Sequence, residues 1–222
     1  MQTLLDVLEN TGFRAAYTDA YRTVGKFCNG KFTPVSKTLP LSHEFSLRDL
    51  LIMNLFPTLC VMHQRALIEE VGLFDESFTT HEDWEYWLRI GSKYPFVHIN
   101  KVTAEFTVRD DGSNTAAYNF DDFNRTRKII YERYRSFCGG DQNIINIQKK
   151  VLEEYEMESV AHFIHELSQM MNEQMFEDAI KLYVRKRHCF GKKEILGKID
   201  KLIERLSLKL GYNLSPVLEK SE

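Results

Sequence analysis

At 222 residues, with 43 % hydrophobic and 12 % aromatic residues, the chain has room for one packed domain and an appendage. Its formal net charge of −3 excludes non-specific nucleic-acid binding, which needs clustered positive charge. No apolar run approaches the ~20 residues that span a bilayer, and the opening residues lack the pattern of a secretory leader.

Four cysteines, Cys28, Cys60, Cys138 and Cys189, are scattered without a Cys-x-x-Cys spacing. That usage predicts a reduced, cytoplasmic setting, peripheral to a membrane at most, and no zinc site.

In chain order, Leu4, Leu5, Val7 and Leu8 have helical spacing, stopped by Gly12. Phe13 to Thr18 predicts a strand, with Asp19 at its end, where α/β sites gather. Residues 20–45, carrying Gly25, Gly30, Pro34 and Pro40, read as a loop. Ser46 starts a short helix by capping logic, running to about Met53. Its Leu47, Leu50 and Leu51, with Leu55, are predicted core. Thr58 to Met62 reads as a buried strand. Helical spacing through Ala66, Leu67 and Val71 stops at Gly72.

After a polar turn, Asp75 to Thr80, a second helix opens at Thr80 with Glu82 and Asp83. At 3.6 residues per turn, Trp84, Trp87, Leu88 and Gly91 share one face. Glu82 points towards water, and Asp83 lies on the flank of the apolar face, near Tyr86 and Ile90. Two readings stay open for Asp83. A carboxylate at the edge of a core and the start of a helix can work as a general base. Thr80 with Asp83 three residues on also resembles a capping box, with acids suited to the helix dipole.

Tyr94 to Ile99 predicts a strand, and Val102 to Val108 another, with Val102, Ala104, Phe106 and Val108 on one face. Arg109 to Ser113 reads as a loop. From Ala116 onward the pattern is helical: a stripe from Phe120 to Phe137, a break at Gly139 and Gly140, then Ile144 to Met157, Val160 to Leu167, Phe176 to Val184 and Ile195 to Leu206. Successive amphipathic helices of this kind form a bundle or helical-hairpin array. His162 and His165 lack a third ligand and read as ordinary core or surface histidines. The basic run Lys181, Arg185, Lys186, Arg187, His188, Lys192 and Lys193 reads as a solvated helix face, or a surface for an acidic partner or anionic lipid head groups.

The run MHQRALIEEVGLFDESFTTHEDWEYWLRIGSKYPFVHI resembles the second half of family 2 glycosyltransferases of the GT-A fold. His63 to Arg65, then Val71, Gly72, Phe74 and Asp75, then Glu82, Asp83, Trp87, Leu88 and Arg89 carry the likeness. TAEFTVRDDGSN resembles the family's closing strand. The resemblance covers residues 1–118. It implies an α/β fold, a partial GT-A domain (Rossmann-like, mixed sheet), followed by an all-α region over 119–222. The implied reaction moves a sugar from a nucleotide-diphosphate donor to a hydroxyl of a carbohydrate or lipid-linked acceptor, with inversion. Asp83 would be the general base, with Glu82 as fallback. His81, Trp84 and Tyr86 would border the acceptor. Arg109 would reach the diphosphate, its other reading being an exposed arginine paired with Asp110 or Asp111. Asp19 is a further, weaker substrate-site candidate.

The family's metal-binding Asp-x-Asp motif would lie before Met1, and the sequence contains none. The divalent metal (Mg or Mn) expected in a complete enzyme would therefore have its ligands outside this chain. The alternative is a non-catalytic relative that binds a partner through its helical tail. An open sheet edge would favour a homodimer or a partner chain.

Overall fold

The computed structural model describes residues 2–39, 42–109, 120–187, 196–209 and 211. The chain forms two compact units, Met1–Lys150 and Val151–Glu222. The first runs past residue 118, where the family resemblance ends. It is α/β with a mixed sheet, and the C-terminal region is helical, as the sequence leads one to expect.

The spine of the first unit is β1 (Ala15–Cys28). Ala15 to Ala20 are all buried, the continuous run of a strand covered on both faces. One edge of β1 pairs in parallel with β4 (Phe96–Arg109), from Ala15↔Phe96 to Gly25↔Arg109. The other edge carries two antiparallel partners. β3 (Val61–His63) pairs with Ala15 to Tyr17, and β2 (Lys31–Thr38) with Arg22 to Cys28.

This corrects the loop expected over 20–45. β1 and β2 form a hairpin turned by Asn29 and Gly30, with φ of 51° and 75°. Two consecutive positive φ values are what a two-residue hairpin turn requires. Gly25 and Pro34, read as breakers, face each other across the ladder where the register of β1 shifts. The strands expected at 94–99 and 102–108 are one strand, β4, whose register against β1 slips on both sides of Asp19.

α1 (Gln2–Asn10) buries Leu4 and Leu8 on Ala16, beside Met62, Val97 and Ile99. α2 (Leu47–Leu50) is shorter than expected, although Ser46 caps it as predicted by accepting from the Asp49 amide at 3.2 Å. The strand expected at 58–62 is a 3₁₀ turn over Thr58–Cys60 followed by β3. α3 (Ala66–Val71) ends at Gly72, whose φ of 82° suits the stop read from sequence.

α4 (Glu82–Gly91) is the central helix, buried on most of its circumference rather than on one face. α5 (Phe120–Arg133) and the start of α6 (Gln142–Asn172) complete the unit. Tyr131 donates its hydroxyl to the Ile52 carbonyl at 2.7 Å, and Gln148 its amide to that of Leu51 at 2.8 Å.

The second unit comprises the rest of α6, α7 (Phe176–Lys186) and α8 (Gly197–Lys209). The separate helices expected at 144–157 and 160–167 are the single α6. Val160, Phe163, Leu167, Ile180, Tyr183 and Ile203 are central to its core. Arg187 is not part of a solvated face: it is 4 % exposed and holds Asp200 at 2.7 and 2.8 Å. His188, Cys189, Lys192, Lys193, Ile195, residues 110–119 and Pro40 lie outside the described residues. No helix among the described residues is long and apolar enough to cross a membrane.

Candidate functional site

At the start of α4, Thr58, Phe74, Asp75, Glu76, Phe78, Glu82 and Asp83 line a cleft of about 390 Å³. Glu82 is exposed and Asp83 half-buried, as helical geometry predicts. One oxygen of Asp83 accepts from Asn54 Nδ2 at 3.1 Å and Thr58 Oγ1 at 2.8 Å. The other accepts from the Trp84 amide at 2.7 Å. A carboxylate has about four lone-pair sites, so these bonds fix Asp83 and leave it capacity to accept one more proton donor.

The capping box is not formed. The residue before the helix is His81, at φ 62°, and its side chain makes no capping hydrogen bond. Thr80 is buried and bonds Thr126 Oγ1 on α5 at 2.7 Å instead. A left-handed non-glycine residue costs of order 1 kcal/mol or more, and such residues cluster at functional sites. Here it turns the chain so that Thr80 faces α5 while Asp83 faces the 54–58 segment.

His81 sits edge-on to Trp84 and Phe123, with Nδ1 2.9 Å from Thr126 Oγ1. Burial, helped by the Arg127 charge, lowers its pKa to about 3, so the ring is neutral. Trp84 is fully buried and donates Nε1 to the Leu50 carbonyl at 2.7 Å. Tyr86 is 2 % exposed, its hydroxyl 3.4 Å from His63 Nε2. Both rings are core, and neither offers a face to an acceptor, contrary to the sequence expectation. The exposed aromatic residue at the cleft is Phe74, 43 % exposed and packed 4.6 Å from the Tyr86 ring. The signal for it was in the Val-Gly-x-Phe-Asp turn itself.

Sequence reasoning also missed Glu85. It is 1 % exposed and accepts from Arg89 at 2.9 Å, Arg133 at 3.0 Å and the Tyr134 hydroxyl at 2.9 Å. Arg133 also reaches Asp75 at 2.9 Å, and Arg89 donates to the Val71 and Leu73 carbonyls. The cleft wall over 71–75 is thus tied to α4 and α5 through one buried carboxylate. The Ser77 hydroxyl and Arg133 hold the Asp75 pKa down at about 2.

Asp19 and Arg109 are not in the cleft lining. Asp19 lies within β1, not at its end, and is 2 % exposed. It bonds His98 Nε2 at 2.8 Å and accepts from Ser42 Oγ at 2.9 Å. The Arg109 guanidinium lies 5.0 Å from the centre of the Phe27 ring; Asp110 and Asp111 are outside the described residues. No three His, Cys, Asp or Glu side chains among the described residues converge to hold a metal ion.

The chain is 26 % identical over 105 residues to the uncharacterized glycosyltransferase YwdF of Bacillus subtilis (strain 168). That alignment covers 47 % of this chain and 37 % of YwdF, so the chain spans little more than a third of that protein's length. No protein-family model matches the chain, and no solved structure matches it. The likeness is a distant relationship to a glycosyltransferase.

Proposed function

We propose that this chain is the acceptor-side part of a glycosyltransferase that moves a sugar from a nucleotide-diphosphate donor to a hydroxyl acceptor with inversion. The observation that carries the proposal is Asp83, a carboxylate oriented by Asn54, Thr58 and the Trp84 amide at the edge of a cleft. The relationship to YwdF supports the reaction class.

In this reading the acceptor hydroxyl enters the cleft and donates to the free lone pair of Asp83. Its oxygen attacks the anomeric carbon, the bond from that carbon to the diphosphate oxygen breaks with its electron pair leaving on the nucleoside diphosphate, and Asp83 takes the proton as the new bond forms. Glu82, exposed at the same mouth, is the fallback base. Phe74 supplies the apolar surface for a sugar ring. Trp84 and Tyr86 set the position of α4, and neutral His81 fixes its first turn against α5. Arg109 would act on the diphosphate from outside the cleft. The described residues do not fit a divalent metal, so no step here runs through one.

Asp83→Asn in the full-length protein keeps an acceptor oxygen for Asn54 and Thr58 but removes the base. We expect transfer to fall ~10²- to 10⁴-fold with donor affinity unchanged. Turnover at the parent rate sinks the assignment, and loss in Glu82→Gln alone moves the role to Glu82.

A non-catalytic module docking through the helical unit is the second reading. Exposed Val184, Leu202 and Leu208 favour it, at 38, 52 and 69 % exposure. Full-length protein inert towards every nucleotide-sugar with added manganese favours that module.

A further inference from the structure

The cleft at Asp83 has a chemical bias of its own. Its polar lining is Thr58, Asp75, Glu76, Glu82 and Asp83. Thr58 spends its proton on Asp83 at 2.8 Å. Ionised carboxylates only accept hydrogen bonds, so no lining side chain has a proton to donate. Behind Asp83, Asn54 turns its Nδ2 to the carboxylate and leaves Oδ1 buried without a partner, one more acceptor. Asp75 is compensated by Arg133 at 2.9 Å, but Glu76, Glu82 and Asp83 form no ion pair with any described residue. The apolar part of the lining is Phe74 and Phe78, of which Phe74 is 43 % exposed.

We infer that the cleft selects a carbohydrate ring rich in hydrogen-bond donors and free of acid groups, preferring an amino sugar with a free ammonium. The ring packs on Phe74, its hydroxyls and ammonium donate to the carboxylates, and a phosphorylated or uronic sugar is repelled. This deepens the proposed function and rests on it for the name acceptor, but the selectivity is a property of the cleft alone. A unit charge about 4 Å from an opposite one is worth ~1 kcal/mol in water, a ~5-fold preference per contact.

The test titrates three probes into isotope-labelled protein: methyl glucoside, methyl glucosaminide and methyl glucoside 6-phosphate. It is done at ~20 and ~200 mM salt, which brackets the range where surface charge is screened. At low salt we expect the glucosaminide to bind ~5-fold or more tighter than the glucoside, and the phosphate not at all. Amide shifts are expected at Phe74 to Asp83, with the preference shrinking at high salt. In the Glu76→Gln, Glu82→Gln double variant the ratio of glucosaminide to glucoside affinity should fall, leaving only the share that Asp83 supplies.

Binding of the 6-phosphate as tight as that of the glucoside overturns the inference. So does a ratio unmoved in the double variant, or no glycoside shifting the cleft amides. A transfer assay of the full-length enzyme separates this inference from the proposed reaction. Amino-sugar preference with no transfer by the full-length enzyme defeats the reaction and leaves the selectivity standing. Transfer to phosphorylated acceptors does the reverse.

Discussion

His81 combines two costs at one position, a left-handed backbone and a half-buried, neutral imidazole. Its folded pKa, about 3, lies below the ordinary value of 6.5. Between those values the unfolded chain binds a proton that the folded chain does not. Stability is therefore unaffected above pH ~6.5 and falls as pH drops towards 3, by at most about 1.4 kcal/mol per pH unit. Asn tolerates positive φ and does not titrate there. We expect His81→Asn to flatten urea-midpoint stability between pH 6.5 and 4, and an unchanged slope assigns the acid sensitivity to other groups. At this scale the sequence was half legible. Asp83 stood out through the family resemblance, since an acid pair opening a helix reads equally well as a cap. Its partners Asn54 and Thr58, 29 and 25 residues away, carry no local signal. Trp84 and Tyr86 were misplaced because an aromatic residue that packs a core and one that lines a cleft are written alike.

Helices fared better than strands, for a physical reason. α3 and α4 declare themselves through helical spacing within about ten residues, and α3 also through Gly72 at its end. The β1–β2 hairpin was hidden by Gly25 and Pro34, which read as breakers in isolation. Asn29 and Gly30 were the available signal. Pro34 is tolerated because β2, among the described residues, pairs on one side only. Gly25 is required by close approach: a Cβ there would lie 2.5 Å from both the Phe32 ring and the Thr33 carbonyl oxygen. The carbonyl belongs to the backbone and cannot swing away. Gly25→Ala should therefore destabilise the first unit by roughly 1–3 kcal/mol, the usual cost of overpacking. A urea midpoint equal to the parent's would show that the hairpin relaxes freely.

Among the described residues, each compact unit has a carboxylate that gathers several partners. Glu85 gathers Arg89, Arg133 and Tyr134 in the first, and Asp200 gathers Arg187 and Tyr183 in the second. Chains with more than one unit often depart from a single cooperative transition. Asp200→Ala breaks a largely buried ion pair, a change worth about 3 kcal/mol or more. We expect hydrogen exchange to accelerate over α7 and α8 and to stay at the parent rate over β1 and β4. Equal acceleration in both units would show that they unfold together. The division itself was not legible at residue 118, because the family resemblance stops there while Tyr131 and Gln148 fasten later helices to Leu51 and Ile52 of the first unit.

β1 is bounded on both edges, and its partners arrive at very different times. β2 follows at once through a two-residue turn, but Phe96, opposite Ala15, lies about 80 residues downstream. At ~5–20 residues per second, a ribosome leaves the stretch Ala15 to Ala20, buried in the folded unit, without its parallel neighbour for ~4–16 s. During that interval the sticky edge of the nascent strand is open to whatever else is nearby. The newborn chain is thus a natural client for a holding chaperone at the exit tunnel, until residue 109 emerges and the sheet closes.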